Sequence, residues 1–294
     1  MDNLFSSSSE IEDKLFPPKI TLRSKGKLFL LDRPWVMGIM NITPDSFYEG
    51  SRVSQDEALI LHQAEKMLVS GADLLDIGGY SSRPGANEVS LDEEMSRVLP
   101  AITAIKREFP EAKVSIDTFQ SKIASSAVQC GADFVNDISA GTLDPDMIET
   151  VGKLQVPYIA MHMKGTPQNM QNQTAYDDIL LEMMKYFSEK MNECKKAGIN
   201  DVILDPGFGF AKTMEQNYWI LRNLSYFKTI QAPLLIGVSR KSMIYKKLEI
   251  NPGEALNGTT ALHMAALMHG AQILRVHDVK EAKETVTLFK QLYP

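Results

Sequence analysis

The sequence is poor in cysteine, in long apolar runs and in excess positive charge, and each shortage excludes a class of protein. Only two cysteines, Cys130 and Cys194, occur among 294 residues, so they form no disulfide framework and suit a reducing compartment. No uncharged apolar run reaches the roughly 20 residues that span a bilayer. Lys and Arg total 31 against 37 Asp and Glu, and this net charge of −6 argues against duplex nucleic acid as a partner. The first residues lack the basic and apolar parts of a secretory signal, and we therefore expect a cytoplasmic protein.

The composition is otherwise that of a globular protein, with 44% hydrophobic and 23% charged residues. Residues 1–18 are acidic and Ser-rich and end in two prolines, which predicts a flexible N-terminal tail before a single domain at 19–294. Residues 19–32 alternate around Lys25-Gly26 and predict a short β-hairpin.

From residue 34 onward, short apolar runs alternate with longer amphipathic stretches, a pattern typical of βα units on a parallel sheet. The clearest predicted helices are 54–70 and 178–196. Eight units fit an α/β TIM (β/α)8 barrel, whose active site lies at the carboxyl ends of its strands. A doubly wound open sheet is the alternative, although its G-x-G-x-x-G turn after the first strand is absent. The predicted strands are 35–41, 74–80, 113–119, 134–140, 158–164, 201–208, 234–240 and 273–279.

A weak internal repeat supports this count of units. Gly71, Gly131 and Gly270 each follow a helical stretch and precede a strand, where glycine suits a left-handed helix C-cap. The residue five positions after each glycine is polar, and these residues are Asp76, Asn136 and Arg275. A polar side chain recurring within apolar strands is costly unless it is hydrogen-bonded or functional.

Polar residues cluster near the ends of the predicted strands, and in a barrel they would converge on one mouth. The acidic and amide groups of Asp117, Asn136 and Asp205 suit a flat heterocycle rich in N–H donors. Basic side chains there suit an anion such as phosphate. Internal ion pairing is the alternative for each residue taken singly. The full set is Asn41, Asp76, Asp117, Asn136, Asp137, His162, Asp205, Arg240, Lys241, Arg275 and His277.

These residues lie in segments that resemble the signatures of the dihydropteroate synthase family. Residues 36–47 (VMGIMNITPDSF) resemble the first signature, and DIGG at 76–79 followed by SSRPGA at 81–86 resembles the second. The later motifs keep the family order: SIDT at 115–118, NDI at 136–138, MHM at 161–163, LDPGFGF at 204–210, GVSRKS at 237–242 and RVHDV at 275–279. The resemblance covers residues 28–290.

The resemblance implies a TIM barrel that condenses 6-hydroxymethyl-7,8-dihydropterin diphosphate with 4-aminobenzoate in folate biosynthesis, giving 7,8-dihydropteroate and pyrophosphate. It implies the catalytic residues Lys241, Asp117, Asp205, Arg275 and His277. The implied pterin contacts are Asp117, Asn136, Asp205 and Lys241, with Met163 and Phe210 packing against the ring.

The implied diphosphate site comprises Asn41, Ser82, Arg275 and His277, with Asn41 also binding Mg²⁺. The implied 4-aminobenzoate pocket and its closing loops comprise Asp45, Phe47, Ser82, Arg83, Pro84, Lys241 and Ser242. The family is a target of sulfonamides. The resemblance implies small-molecule substrates, and we expect a homodimer. The charge balance and the lack of a long apolar run predict neither nucleic acid nor membrane as a partner.

Two residues depart from the family's second signature, in which Glu is usual at the position of Tyr80 and Thr at that of Ser82. Serine keeps the hydroxyl group, so we expect its role to persist. A pterin-binding methyltransferase is one alternative function, but the SRKS and RVH segments favour the synthase, since a methyl donor has no diphosphate to bind. A non-catalytic pterin-binding or scaffold subunit is the other, and it would be expected to lack some of the charged residues retained here.

Overall fold

A computed structural model describes residues 20–42, 53–80 and 89–293, and its first element is the expected hairpin. Strand β1 (Ile20–Ser24) pairs antiparallel with β2 (Lys27–Leu31). Lys25 and Gly26 between them have φ values of 47° and 83°. Two successive left-handed residues suit a two-residue hairpin turn, because their twist matches that of the flanking strands.

The described ranges contain eight parallel strands that form a nearly closed barrel, so the TIM-barrel prediction is confirmed and the open-sheet alternative is wrong. Around the barrel the order is β8-β7-β6-β5-β4-β3-β10-β9, and a parallel bridge between Leu204 and Leu234 joins the two outer strands. The strands are β3 (Trp35–Asn41), β4 (Leu74–Gly78), β5 (Val114–Asp117), β6 (Phe134–Asp137), β7 (Tyr158–Met161), β8 (Val202–Asp205), β9 (Leu235–Ile236) and β10 (Ile273–Val276).

Helices surround the strands and follow them in sequence. The two clearest predicted helices are confirmed to within one residue at each end. Gly71, Gly131 and Gly270 have φ values of 98°, 118° and 101°, as expected for C-caps. No helix in the described part of the chain is long and apolar enough to cross a membrane. The helices are α1 (Val53–Val69), α2 (Leu91–Glu108), α3 (Ser121–Gln129), α4 (Met147–Leu154), α5 (Ile179–Lys196), α6 (Met214–Arg222), α7 (Ser242–Leu248), α8 (Leu256–Met268) and α9 (Val279–Leu292).

The strands after β3 end two to four residues earlier than the sequence predicts. After β6 and β8, polar side chains fold the backbone into turns. Asp137 accepts from the amides of Ser139 and Gly141 at 2.7 Å each, and Asp205 accepts from the amide of Gly207 at 2.7 Å. Such side-chain bonds to the backbone compete with the sheet ladder. Some residues assigned to strand ends therefore lie on loops at the barrel mouth, namely His162, Arg240, Lys241 and His277.

The hairpin seals the amino-terminal end of the barrel. Leu22 and Leu31 are buried against Trp35 and Phe134, which lie at the starts of β3 and β6. The amide of Arg23 donates to Asp201 at 2.7 Å, just before β8 begins. With this end covered by apolar packing, the opposite end is left for a ligand.

Candidate active site at the carboxyl ends of the strands

The polar residues of the internal repeat meet at one point inside the barrel mouth. Asp76 Oδ2 accepts from Arg275 Nε at 2.6 Å and from Asn136 Nδ2 at 3.1 Å. Arg275 also donates through its terminal NH2 group to Asp117 Oδ2 at 2.5 Å. The repeat therefore places a carboxylate, an amide and a guanidinium group together, with a second carboxylate from β5.

Sheet register explains why these side chains share one face. Asp76 on β4 is paired with Ser115 on β5, and Asp117 on β5 is paired with Asn136 on β6. Residues two apart on a strand, such as Ser115 and Asp117, point the same way. Arg275 is paired with Met37, whose side chain lies in the barrel interior. All of these side chains therefore point inward.

Two buried oxygens in this group have no hydrogen-bond partner within the described ranges, namely Asp76 Oδ1 and Ser115 Oγ. Leaving a buried polar atom unpaired costs about 1–3 kcal/mol. Because the two residues are neighbours across the β4–β5 pair, their oxygens offer adjacent acceptors. Such acceptors suit a ligand that presents N–H groups.

Burial shifts the pKa of the charged residues in this site. It raises the pKa of Asp117 above its usual range, with Arg275 acting in the opposite direction. Burial also raises the pKa of Asp205, against the attraction of Lys241. It lowers the pKa of Lys241 to about 8, although Asp205 favours its charged form. Perturbed groups of both signs in one cleft are typical of functional sites.

An apolar wall lies beside the charged groups. Lys241 Nζ donates to the carbonyl of Phe208 and lies 5.0 Å from the centre of the Phe210 ring. Phe210 packs against a buried cluster that includes Met163 and Met161. The structure thus brings Lys241, Phe210 and Met163 to one side of the mouth, as a flat aromatic ligand requires.

The remaining basic residues have different environments. His277 is exposed, and its Nδ1 lies 3.1 Å from Ser239 Oγ, which also accepts from the His277 amide at 3.2 Å. Arg240 instead donates to both oxygens of Asp278, at 2.7 and 2.8 Å. Arg240 is therefore held in an ion pair with Asp278. Ser242, which the resemblance assigns to the 4-aminobenzoate pocket, is the first residue of α7.

Two further residues from the strand-end set also lie outside the central group. Asp137 accepts from Tyr158 Oη at 2.7 Å and from loop amides, because alternation along β6 turns it away from Asn136. His162 is buried, with its Nδ1 3.0 Å from Lys212 Nζ. Tyr80, where the family usually has Glu, packs edge-on against Phe119 with ring centres 5.2 Å apart.

The predicted loop residues Asp45, Phe47, Ser82, Arg83 and Pro84 lie outside the described residues. Sequence reasoning assigned no role to Asp76, although the internal repeat had marked it. It also missed Lys212 and Ser239 as individual residues, and no spacing or composition signal distinguishes either of them.

Mg²⁺ fits the donor chemistry at this mouth only if the substrate supplies ligands too. Asn41, at the end of β3, shares the inward face with Met37 and offers one amide oxygen. The described ranges contain no group of three or more His, Cys, Asp or Glu side chains that could hold a metal. Mg²⁺ usually keeps several waters and binds substrate phosphates, so a single protein oxygen is compatible with it.

Comparisons with known proteins agree with this geometry. The family model described as pterin binding enzyme matches residues 37–277. The dihydropteroate synthase of Synechocystis sp. is 45% identical over 272 residues, which cover 90% of this chain and 92% of that relative. The Yersinia pestis dihydropteroate synthase, solved as a sulfonamide drug complex, superposes with a TM-score of 0.86 at 40% identity, covering 93% and 99% of the two chains. The Xanthomonas albilineans dihydropteroate synthase, solved with 4-aminobenzoic acid, gives a TM-score of 0.86 at 35% identity, covering 94% and 98%.

Proposed function

The chain belongs to the dihydropteroate synthases among the pterin-binding enzymes, and we propose how the residues of its barrel mouth divide the reaction between them. The enzyme is a transferase that condenses 6-hydroxymethyl-7,8-dihydropterin diphosphate with 4-aminobenzoate, giving 7,8-dihydropteroate and pyrophosphate. The methyltransferase and scaffold alternatives are therefore wrong. The observation that carries the proposed roles is the Asp76–Asn136–Arg275–Asp117 group beside Lys241.

The pterin ring binds to the acceptors at the centre of the mouth. Asp117, Asn136 and Asp205 receive its N–H donors, and the unpaired Oδ1 of Asp76 adds an acceptor that the sequence resemblance did not include. Phe210 and Met163 pack against the ring face, which leaves the substituent methylene directed toward the basic residues. Aromatic packing supplies most of the contact area, and the acceptors fix the orientation.

The diphosphate binds to Asn41, Arg275 and His277, with the hydroxyl of Ser82 as a further donor. Asn41 would help to hold Mg²⁺ beside the diphosphate, where the metal would supply charge neutralisation to the leaving group. Arg275 lies beside the pterin acceptors, because its guanidinium group contacts the carboxylates of Asp76 and Asp117. Its remaining N–H donors can bind the diphosphate. A planar guanidinium group is well suited to such shared contacts with carboxylates and phosphates.

The bond-making step needs no nucleophilic side chain. The amine nitrogen of 4-aminobenzoate bonds to the pterin methylene carbon, the carbon–oxygen bond breaks, and its electron pair leaves with pyrophosphate. The nitrogen then loses one proton, which the departing pyrophosphate accepts. Positive charge that develops on the pterin and its methylene is stabilised by Asp117 and Asp205, while Arg275 and His277 stabilise the departing anion.

The 4-aminobenzoate pocket is formed by Lys241 and Ser242 together with the loop residues Asp45, Phe47, Ser82, Arg83 and Pro84. Complexes of relatives with 4-aminobenzoic acid and with a sulfonamide drug support a site for flat para-aminophenyl ligands. These residues help to keep water away from the reactive methylene.

We propose a cytoplasmic homodimer that has no nucleic-acid or membrane partner. Large apolar side chains are exposed on neighbouring helices α6 to α9, among them Trp219, Leu248 and Leu288 at 49%, 52% and 61%. Sedimentation equilibrium of the purified protein tests the dimer, and a monomer over the whole concentration range would contradict it.

Pyrophosphate release tests the proposed roles. Release should require the pterin diphosphate, 4-aminobenzoate and Mg²⁺ together and should match the 7,8-dihydropteroate formed. Asp117→Ala should lose this activity. The matched control is Asp133→Ala, because Asp133 is a buried carboxylate at the opposite end of the barrel, paired with Lys106 at 3.2 Å. Equal activity loss in the two variants at equal folded fraction would contradict the placement of Asp117.

A further inference from the structure

The turn at residues 207–212, which follows β8, is folded around the side chain of Lys212. Lys212 Nζ donates to the carbonyls of Gly207 at 3.1 Å, Phe210 at 3.0 Å and His162 at 3.3 Å. It also lies 3.0 Å from His162 Nδ1. Lys212 is only 5% exposed, so these groups replace water around its nitrogen.

Lys212 is the one Lys or Arg of the described ranges that is fully buried, and it has no salt-bridge partner there, whereas the less buried Arg275 has two. Burial lowers its pKa to about 7, while Asp205 favours the charged form. Both forms donate hydrogen bonds, since an ammonium carries three hydrogens and the neutral amine carries two. Burying an amine that has no carboxylate partner is costly, so the contacts around Lys212 should explain why a lysine occupies this position.

The backbone of this turn is unusual in the same place. Gly207, Gly209 and Ala211 have φ values of 68°, 82° and 51°, so left-handed residues alternate with ordinary ones. A non-glycine residue is rare in that region and is retained when surrounding contacts fix it. A Cβ atom on Gly207 would lie 2.2 Å from the carbonyl oxygen of His162, which shows how closely the turn approaches the end of β7.

The turn supplies two groups to the pterin site on its other side. The Phe208 carbonyl accepts from Lys241 Nζ, and the Phe210 ring lies 5.0 Å from the same nitrogen. The carbonyls of Gly207 and Phe210 face Lys212, whereas that of Phe208 faces Lys241. Lys212 therefore contacts one side of the turn, and the opposite side of the turn contacts Lys241.

We propose that Lys212 is a positioning residue for the pterin site, holding the 207–212 turn so that the Phe208 carbonyl and the Phe210 ring orient Lys241. This inference rests on the proposed role of Lys241 and Phe210 in pterin binding. Without the Lys212 donor, the carbonyls of Phe210 and His162 lose this partner, the carbonyl of Gly207 keeps only the Phe210 amide, and the turn relaxes. The pterin site then loses its shape while the barrel remains.

The test compares Lys212→Met with Lys106→Met in steady-state pyrophosphate release. Lys106 is the control because its Nζ also donates to a carbonyl, that of Ala112 at 2.8 Å, and pairs with Asp133, but at the amino-terminal end of the barrel. Lys212→Met should raise KM for the pterin diphosphate by about tenfold or more, the scale of a lost hydrogen bond to a charged group. Lys106→Met should leave that KM within twofold of the wild-type value, even if it lowers Tm as much as Lys212→Met does.

Two further variants keep the test decisive. Lys212→Gln keeps two N–H donors on a shorter, uncharged side chain and should raise the same KM less, and it serves as the test variant if Lys212→Met does not fold. In a Phe210→Leu background, Lys212→Met should change KM by much less than in the wild type, since coupled residues are not additive.

Unchanged KM in Lys212→Met and Lys212→Gln, with only Tm lowered, would make Lys212 purely structural and overturn the inference. Full additivity with Phe210→Leu would also overturn it. If the wild-type chain releases no pyrophosphate, the proposed function fails instead, so the two failures are distinguishable.

Discussion

Replacing Lys241 by alanine tests the central cation of the site. Its Nζ donates to the Phe208 carbonyl, lies 5.0 Å from the Phe210 ring centre and is attracted by Asp205 and Asp117. Removing one oriented donor from a buried site typically costs about 3–4 kcal/mol of transition-state stabilisation, or about 10²–10³ in kcat. Because Lys241 is expected to contact both the pterin and the incoming amine, we expect turnover to be effectively abolished.

The fold should survive this change. Lys241 occupies the N-cap position of α7, where its side chain makes no capping bond to the described residues. Its backbone carbonyl accepts from the Ile244 amide at 2.9 Å, and alanine keeps that bond. Burial also lowers the pKa of Lys241 to about 8, so its charged form is disfavoured by folding. We therefore expect little change in Tm.

The assay is pyrophosphate release at saturating substrates, with Tm and circular dichroism measured on the same preparation. Lys246→Ala is the control, because Lys246 is an exposed residue on the same helix α7. It should retain full turnover, since exposed substitutions usually change stability by only about 0.5 kcal/mol. Near-normal turnover in Lys241→Ala would refute the placement of Lys241 in the site.

Four further outcomes are expected. If the cationic form of Lys241 is the active one, kcat/KM falls as pH rises through about 8, where that residue loses its proton, and Lys241→Arg moves this limb upward because a guanidinium stays charged. Sulfonamides compete with 4-aminobenzoate, so their apparent inhibition constant rises with its concentration; an unchanged constant would contradict a shared pocket. Calorimetric titration should show much tighter 4-aminobenzoate binding after preloading with pterin, pyrophosphate and Mg²⁺, because those ligands complete its pocket; equal affinities would mean that the pocket is preformed. Deleting residues 1–18 should leave Tm unchanged, whereas deleting 1–32 should lower stability by several kcal/mol through the loss of buried Leu22 and Leu31, each worth about 2–5 kcal/mol.

The architecture could be predicted from the sequence because it is encoded locally. The βα units carry their own apolar runs and helices and, in several cases, a C-cap glycine such as Gly71. These signals depend on neighbours within a few residues, and a barrel repeats them along the chain. The same periodicity marked Asp76, Asn136 and Arg275, whose meeting the structure confirms.

Strand ends were predicted less well, because side chains decide them through contacts that the pattern does not contain. The run 134–140 reads as one strand, yet Asp137 bends it by accepting the amides of Ser139 and Gly141. Apolar character continues through such a turn, so hydrophobicity alone does not mark its start. The hydrophobic pattern also did not predict that Asn136 points into the barrel and Asp137 away from it, since the direction of each side chain depends on the register of the strand.

The amino-acid sequence by itself determined that this chain forms a barrel of βα units and that polar residues collect at the strand ends. Only the tertiary structure decided which of them touch. Arg275 binds a carboxylate 199 positions earlier in the chain, Asp76, and Lys212 reaches His162, 50 positions away. Such pairings arise when barrel closure brings distant strand ends together, and no local propensity specifies them.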